Sequence, residues 1–169
     1  MFPLLRLPFL CIQDITEQWG LEDLLDPNRI TACDISLSAQ DLNVFLRSWQ
    51  EGKTNRRLVT CKLQLSNEID VKKVLKNCGG ELMDPRTTRL QIIERGCLDV
   101  WIRGGIRIRR NDGRLAVIDT NCCPYLTRNQ EIFEVHVRDY EKRLEIWNSE
   151  NSDEKWNENG FNIFSFEKK

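Results

Sequence analysis

The sequence is short of the residues that carry most chemistry. It has one histidine, His136, in 169 residues. A metal site or a nucleophile–base pair needs partners at a defined spacing, and none stands near it in sequence. There is no Cys-x-x-Cys. The adjacent Cys122 and Cys123 are poorly placed to chelate one ion together, so they read as a structural thiol pair. Gly104-Gly105 lies between two strand-like runs and lacks the Lys-Ser/Thr of a phosphate loop, which makes it a turn or bulge. No run approaches the ~20 apolar residues that cross a bilayer. With a net charge of −1 there is no global attraction to nucleic acid or to an anionic membrane surface. Together these absences argue against an enzyme and against a cofactor, metal or membrane, and leave partners to be argued locally.

What is present suits one globular domain with a short appended segment: 40 % of residues are apolar and 30 % charged. The seven cysteines are odd in number and scattered, several on apolar strand faces, so they read as reduced core residues of a protein in the cytoplasm or nucleus. The opening MFPLLRLPFLCIQDI is apolar, but Pro3, Arg6 and Pro8 interrupt it and no small-residue cleavage site follows. It reads as a short helix belonging to the fold, with TEQWGLEDLLDPNR after it as a short helix closed by a turn.

The clearest element is a helix over 38–52. Ala39, Leu42, Phe45, Leu46 and Trp49 fall on one face, Ser38 and Asp41 suit a capping box, and Gly52 sits where a left-handed terminator is wanted. Residues 30–52 align without gaps on 58–80, setting Cys33 against Cys61 and Gly52 against Gly80. A period of this size suggests strand–helix units joined in parallel. The fold class that follows is α/β: a short leucine-rich-repeat-like βαβ array with parallel strands, capped by an antiparallel β-hairpin. Arg89–Glu94 begins a third unit. The hairpin occupies 101–120, where Ile106 and Ile108 alternate with Arg107 and Arg109 before an Asn111-Asp112-Gly113 turn. Beyond it, 131–137 reads as a strand, with Phe133, Val135 and Val137 on one face and His136 on the other. Residues 140–147 read as a helix, 148–160 as a polar loop, and FNIFSF as a last strand.

The one local charge anomaly is Arg103, Arg107, Arg109, Arg110 and Arg114, a candidate basic ribbon for phosphates or an acidic peptide. A solvated face that discourages edge-to-edge aggregation is the plainer reading. Trp101 is the one aromatic among these arginines, which gives nucleic-acid binding little support.

Three stretches then carry a resemblance. FPLLRLPFLCIQDI is similar to the first helix of the F-box in the large nematode family of F-box proteins. SAQDLNVFLRSWQEGKTNRRL resembles the Leu-Asn-x-Phe-Leu-x-x-Trp-x-x-Gly segment of that family's F-box-associated domain, type 2, and IRGGIRIRRNDGRLAVI its later basic hairpin. The resemblance implies an F-box-like helix and turn over 1–28, an F-box-associated domain over 29–147, and a polar loop with a possible last strand over 148–169. It also implies a non-enzymatic protein-interaction module that recruits a protein substrate to a cullin-RING ubiquitin ligase. Phe2, Pro3, Leu5, Leu7, Pro8 and Ile12 would then meet the Skp adaptor. The second and third F-box helices are missing from the pattern, so the alternative is a stand-alone or decoy module that does not dock on the adaptor.

Overall fold

The computed structural model describes residues 28–92, 100–120, 127–149 and 154–166. Its centre is a six-stranded mixed sheet. β1 (Arg29–Ile35) runs parallel to β2 (Thr60–Asp70), β8 (Asn157–Phe166) runs antiparallel to β2, and β7 (Leu115–Asp119), β6 (Ile106–Arg109) and β3 (Glu81–Leu82) follow in antiparallel order. A separate two-stranded ribbon pairs β4 (Leu90–Ile92) with β5 (Val100–Ile102).

Cross-strand partners share a face, and the register sorts the side chains into two cores. Ile30, Cys61, Ile163, Ile118 and Ile106 form one buried row across five strands. This face packs against α1 (Ala39–Gln50) through Leu42, Leu46 and Trp49, against α2 (Val71–Val74), and against Ile146 of α3 (Glu134–Asn148). On the opposite face Val117 and Phe164 pack with Met83, Ile92 and Ile102 in a smaller cluster, so the β4–β5 ribbon closes that side.

The expected helix is present with its caps. Ser38 Oγ accepts from the Asp41 N–H at 3.1 Å, and Asp41 Oδ2 accepts from the Ser38 N–H at 3.0 Å. Gly52 terminates it at φ +68°. Asn43, on the inner face, donates through Nδ2 to the carbonyls of Val74 and Lys76, both at 2.8 Å, and satisfies the end of α2. Gln50 does the same for the hairpin, donating to the carbonyls of Cys78 at 2.8 Å and Arg109 at 2.9 Å.

Mixed α/β architecture with one parallel pair therefore holds, but the described residues contain a single βαβ unit rather than a repeating array. Two local causes undo the repeat. Cys33 is exposed by the alternation that buries Ile30 and Ala32, so it is not equivalent to buried Cys61, and Asp34 at φ +54° beside a register shift returns Ile35 to the core. In the second unit β2 does not stop at Ser66. It continues to Asp70 because β8 pairs with Ile69 and Asp70, which leaves one helical turn where the repeat called for a full helix. The third expected strand, 89–94, contributes β4 to the separate ribbon instead of a parallel strand.

Residues 134–148 are one helix, so the strand expected over 131–137 is corrected. Alternation there competes with Val137, Tyr140, Leu144 and Trp147 at helical spacing, and the longer pattern wins. Phe133 and Val135, expected on one face of that strand, are 57 % and 46 % exposed. The loop expected over 148–160 ends earlier, because Asn157–Gly160 already belongs to β8.

The hairpin turn forms as the Asp-Gly signal predicts, with Gly113 at φ +91°. Gly105 carries a different constraint. Its φ is +88°, and an added Cβ would lie 2.8 Å from Val117 Cγ1 and 3.0 Å from the Ile118 carbonyl oxygen. Gly105→Ala is expected to cost about 1–3 kcal/mol, read as a lower urea midpoint with an unchanged slope.

Candidate partner-binding surface

The structure separates the five arginines of the expected ribbon. Arg103, just after β5, is 3 % exposed and donates through Nη2 to the carbonyls of Arg128 and Gln130, both at 3.1 Å. Its Nε makes no hydrogen bond, and burial, then the charge of Arg89, push its pKa down. Arg110 is also buried. It forks onto both carboxylate oxygens of Asp112, donates to the Arg56 carbonyl at 2.9 Å, and lies over the Trp49 ring 5.7 Å from its centroid. These two cations hold the fold rather than face a partner.

Arg107 and Arg109 point away from Ile106 and Ile108, as the alternation requires, and Arg107 pairs with Glu81 on the edge strand. Arg114 leaves the turn toward the α1–β2 connection, where its Nη1 donates to the Arg56 carbonyl at 2.9 Å. There it joins a cavity of about 240 Å³ lined by Asn28, Arg56, Arg57, Leu58, Val59, Arg114 and Ser165. Among the described residues the lining holds three guanidinium-bearing side chains, those of Arg56, Arg57 and Arg114. Sequence reasoning missed Arg56 and Arg57. The signal was an Arg-Arg pair in KTNRRL, but its proximity to Arg114 depends on how the hairpin and β2 meet across β8.

Asp112 anchors this end of the sheet. Hydrogen bonds from Arg110, then from the Arg114 backbone N–H, hold its carboxyl well below the usual range. A carboxyl depressed by folding stabilises above its unfolded pKa, about 3.9 for aspartate, and loses that contribution as pH falls toward its folded value. Asp112→Asn should therefore flatten part of the fall in Tm below pH ~4, measured by thermal melts across acid pH.

His136 lies on α3 and lines a second, smaller cavity of about 20 Å³ with Arg103, Tyr140 and Arg143. That is room for about one water. Its Nδ1 is buried without a hydrogen bond. Desolvation pushes the thiol of Cys61 up to about 12 and that of Cys78 up to about 11, which makes both inert as nucleophiles. Among the described residues no group of three or more His, Cys, Asp or Glu is placed to hold a metal ion, and no helix is long and apolar enough to cross a membrane. Phe2, Pro3, Leu5, Leu7, Pro8 and Ile12, expected to meet the adaptor, lie outside the described residues.

Comparison with known proteins adds one finding. Residues 5–63 match the family model described as F-box associated. The matched stretch includes β1, α1 and the start of β2, and contains Arg56 and Arg57, but stops short of half the chain. It begins inside the segment expected to resemble an F-box helix and spans residue 28. No curated protein and no solved structure matches the chain.

Proposed function

We propose that the chain is a non-enzymatic recruitment module of the F-box-associated type, which presents a protein substrate to a cullin-RING ubiquitin ligase. The match over residues 5–63 carries this reading. In it, Leu42, Asn43, Leu46 and Trp49, which give α1 its family-like appearance, serve packing and helix-end satisfaction, while binding falls to exposed loops around the sheet. The module works in the cytoplasm or nucleus, where ligase subunits meet their substrates and buried thiols stay reduced.

A second reading, a stand-alone or decoy module, is favoured by the position of the match. It already covers the segment in which Leu5, Leu7, Pro8 and Ile12 were expected to form an adaptor-binding F-box helix.

Co-purification of the full chain with the Skp adaptor separates the two. The ligase-subunit reading expects a stable complex that Leu5→Asp with Leu7→Asp abolishes. Absence of any complex, while a control protein with a full F-box forms one, would leave the stand-alone module.

A further inference from the structure

We propose that α3 undocks from the sheet and unfolds as a unit while the sheet stays folded, an order–disorder switch built into the fold. The inference stands apart from the recruitment reading and rests on how the helix is held. Of the fifteen residues from Glu134 to Asn148, only Ile146 is buried. Trp147 packs beside it, partly buried against the larger core. The start of the helix contributes little: Val135 is exposed, and Phe133, the N-cap residue, is exposed and makes no side-chain capping bond. A helix that buries one side chain gains little free energy from its own docking.

Polar ties at side-chain tips supply the rest. Lys72 Nζ donates to the carbonyls of Ile146 and Ser149 at 2.8 and 2.5 Å, Arg143 Nη2 donates to Glu158 Oε1 at 3.0 Å, and Arg86 Nη1 donates to Glu141 Oε1 at 3.2 Å. Arg143 also lies over the Trp156 ring, 5.1 Å from its centroid. Ion pairs reached by water, as at Arg86 and Glu141, are individually weak. The fit between helix and sheet is also incomplete. His136, Tyr140 and Arg143 line the small cavity together with Ile106, Ile118 and Trp156, and His136 Nδ1 stays buried without a hydrogen bond.

The chain on either side of α3 is pinned more firmly than the helix. Before it, the buried Arg103 guanidinium holds the carbonyls of Arg128 and Gln130. After it, the Val71 N–H donates to the Trp156 carbonyl at 2.9 Å, and Trp156 Nε1 donates to Glu158 Oε1 at 2.7 Å. None of these bonds involves a residue of α3, so they can persist when the helix leaves. Once released, α3 does not stand alone: a helix of this length is marginal in water, and this one has Val135 and Val137 in its first turn and no capping side chain. Undocking is therefore unfolding. It uncovers the side of Ile106, Ile118 and Trp156 that lines the cavity.

Native-state hydrogen exchange on the purified full chain, followed residue by residue as urea rises below the unfolding transition, is the test. Amides of α3 should exchange at least about a hundredfold faster than those of β2 and β8, with a shallower urea dependence, because the opening exposes only part of the surface that global unfolding exposes. Lys72→Ala, which removes the tie to the last turn, should speed α3 exchange by a further factor of about five to ten and leave β2 and β8 unchanged. Arg143→Gln should act in the same way by releasing Glu158. Lys73→Ala, at an exposed position on α2, should change neither. Exchange of α3 with the same free energy and urea slope as β2 and β8 overturns the proposal, since the helix would then open only with the whole fold. Equal acceleration of α3 and the sheet in both the Lys72 and Arg143 variants, or no acceleration of α3 in either, overturns it as well.

Discussion

A chain ending at Lys155 will not fold to a cooperative native state. β8 is one of the two central strands of the sheet, held by β2 from Thr60 to Asp70 and by β7 from Leu115 to Asp119. Its loss would leave β2 and β7 with unpaired backbone groups in what is now a buried layer. It would also remove Trp156, Phe161 and Ile163 from the larger core and Phe164 from the smaller one. Buried backbone groups without partners cost free energy on the scale of a lost hydrogen bond each, far beyond what a domain of this size can absorb. Far-ultraviolet dichroism of the truncated chain should lack a sigmoidal urea transition. The single substitution Phe161→Ala, at 1 % exposure and opposite Leu63, isolates the packing part of this effect and should cost about 3–5 kcal/mol.

Trp49→Ala should be comparably damaging, about 3–5 kcal/mol, for a different reason. Trp49 is 1 % exposed at the end of α1, where it both fills the larger core and forms the surface on which Arg110 lies. Removing it leaves a cavity and strips a buried guanidinium of its aromatic face. Arg110→Ala should cost about 1.5–3 kcal/mol, mainly through the lost bond to the Arg56 carbonyl and lost contact with the ring. Little of that loss comes from the ion pair itself, because the Asp112 side chain is 54 % exposed and its charge is screened by water. The double-mutant cycle between Trp49 and Arg110 should give a coupling of about 0.5–2 kcal/mol. A coupling indistinguishable from zero would mean that the two side chains stabilise the fold independently.

Local rules made the best-defined elements legible. Ser38, Asp41 and Gly52 mark the ends of α1 by chemistry that acts within four residues, and the Asp-Gly turn sets the hairpin in the same way. What could not be read was pairing between distant segments. FNIFSF was legible as a strand, but nothing in it says that it enters between β2 and β7. That insertion lengthens β2, shortens the second helix and breaks the apparent repeat. Residues 131–137 were misread because a short alternating run also satisfies part of a helical pattern, and only the continuation through Tyr140, Leu144 and Trp147 decides. The arginine ribbon failed for a related reason. Proximity in sequence grouped five cations that the fold sends to separate tasks, two of them into the protein interior, while Arg56 and Arg57, more than fifty residues before Arg114, lie beside it in space.

The recruitment role stands or falls on what happens to the proteins this chain binds. The direct measurement is the half-life and ubiquitin modification of proteins captured by the full chain, compared in cells with and without it. A recruitment module predicts that removing the chain lengthens the half-life of its captured partners and lowers their ubiquitin content, and that restoring it reverses both. Partners whose turnover and modification are the same with and without the chain would contradict that role.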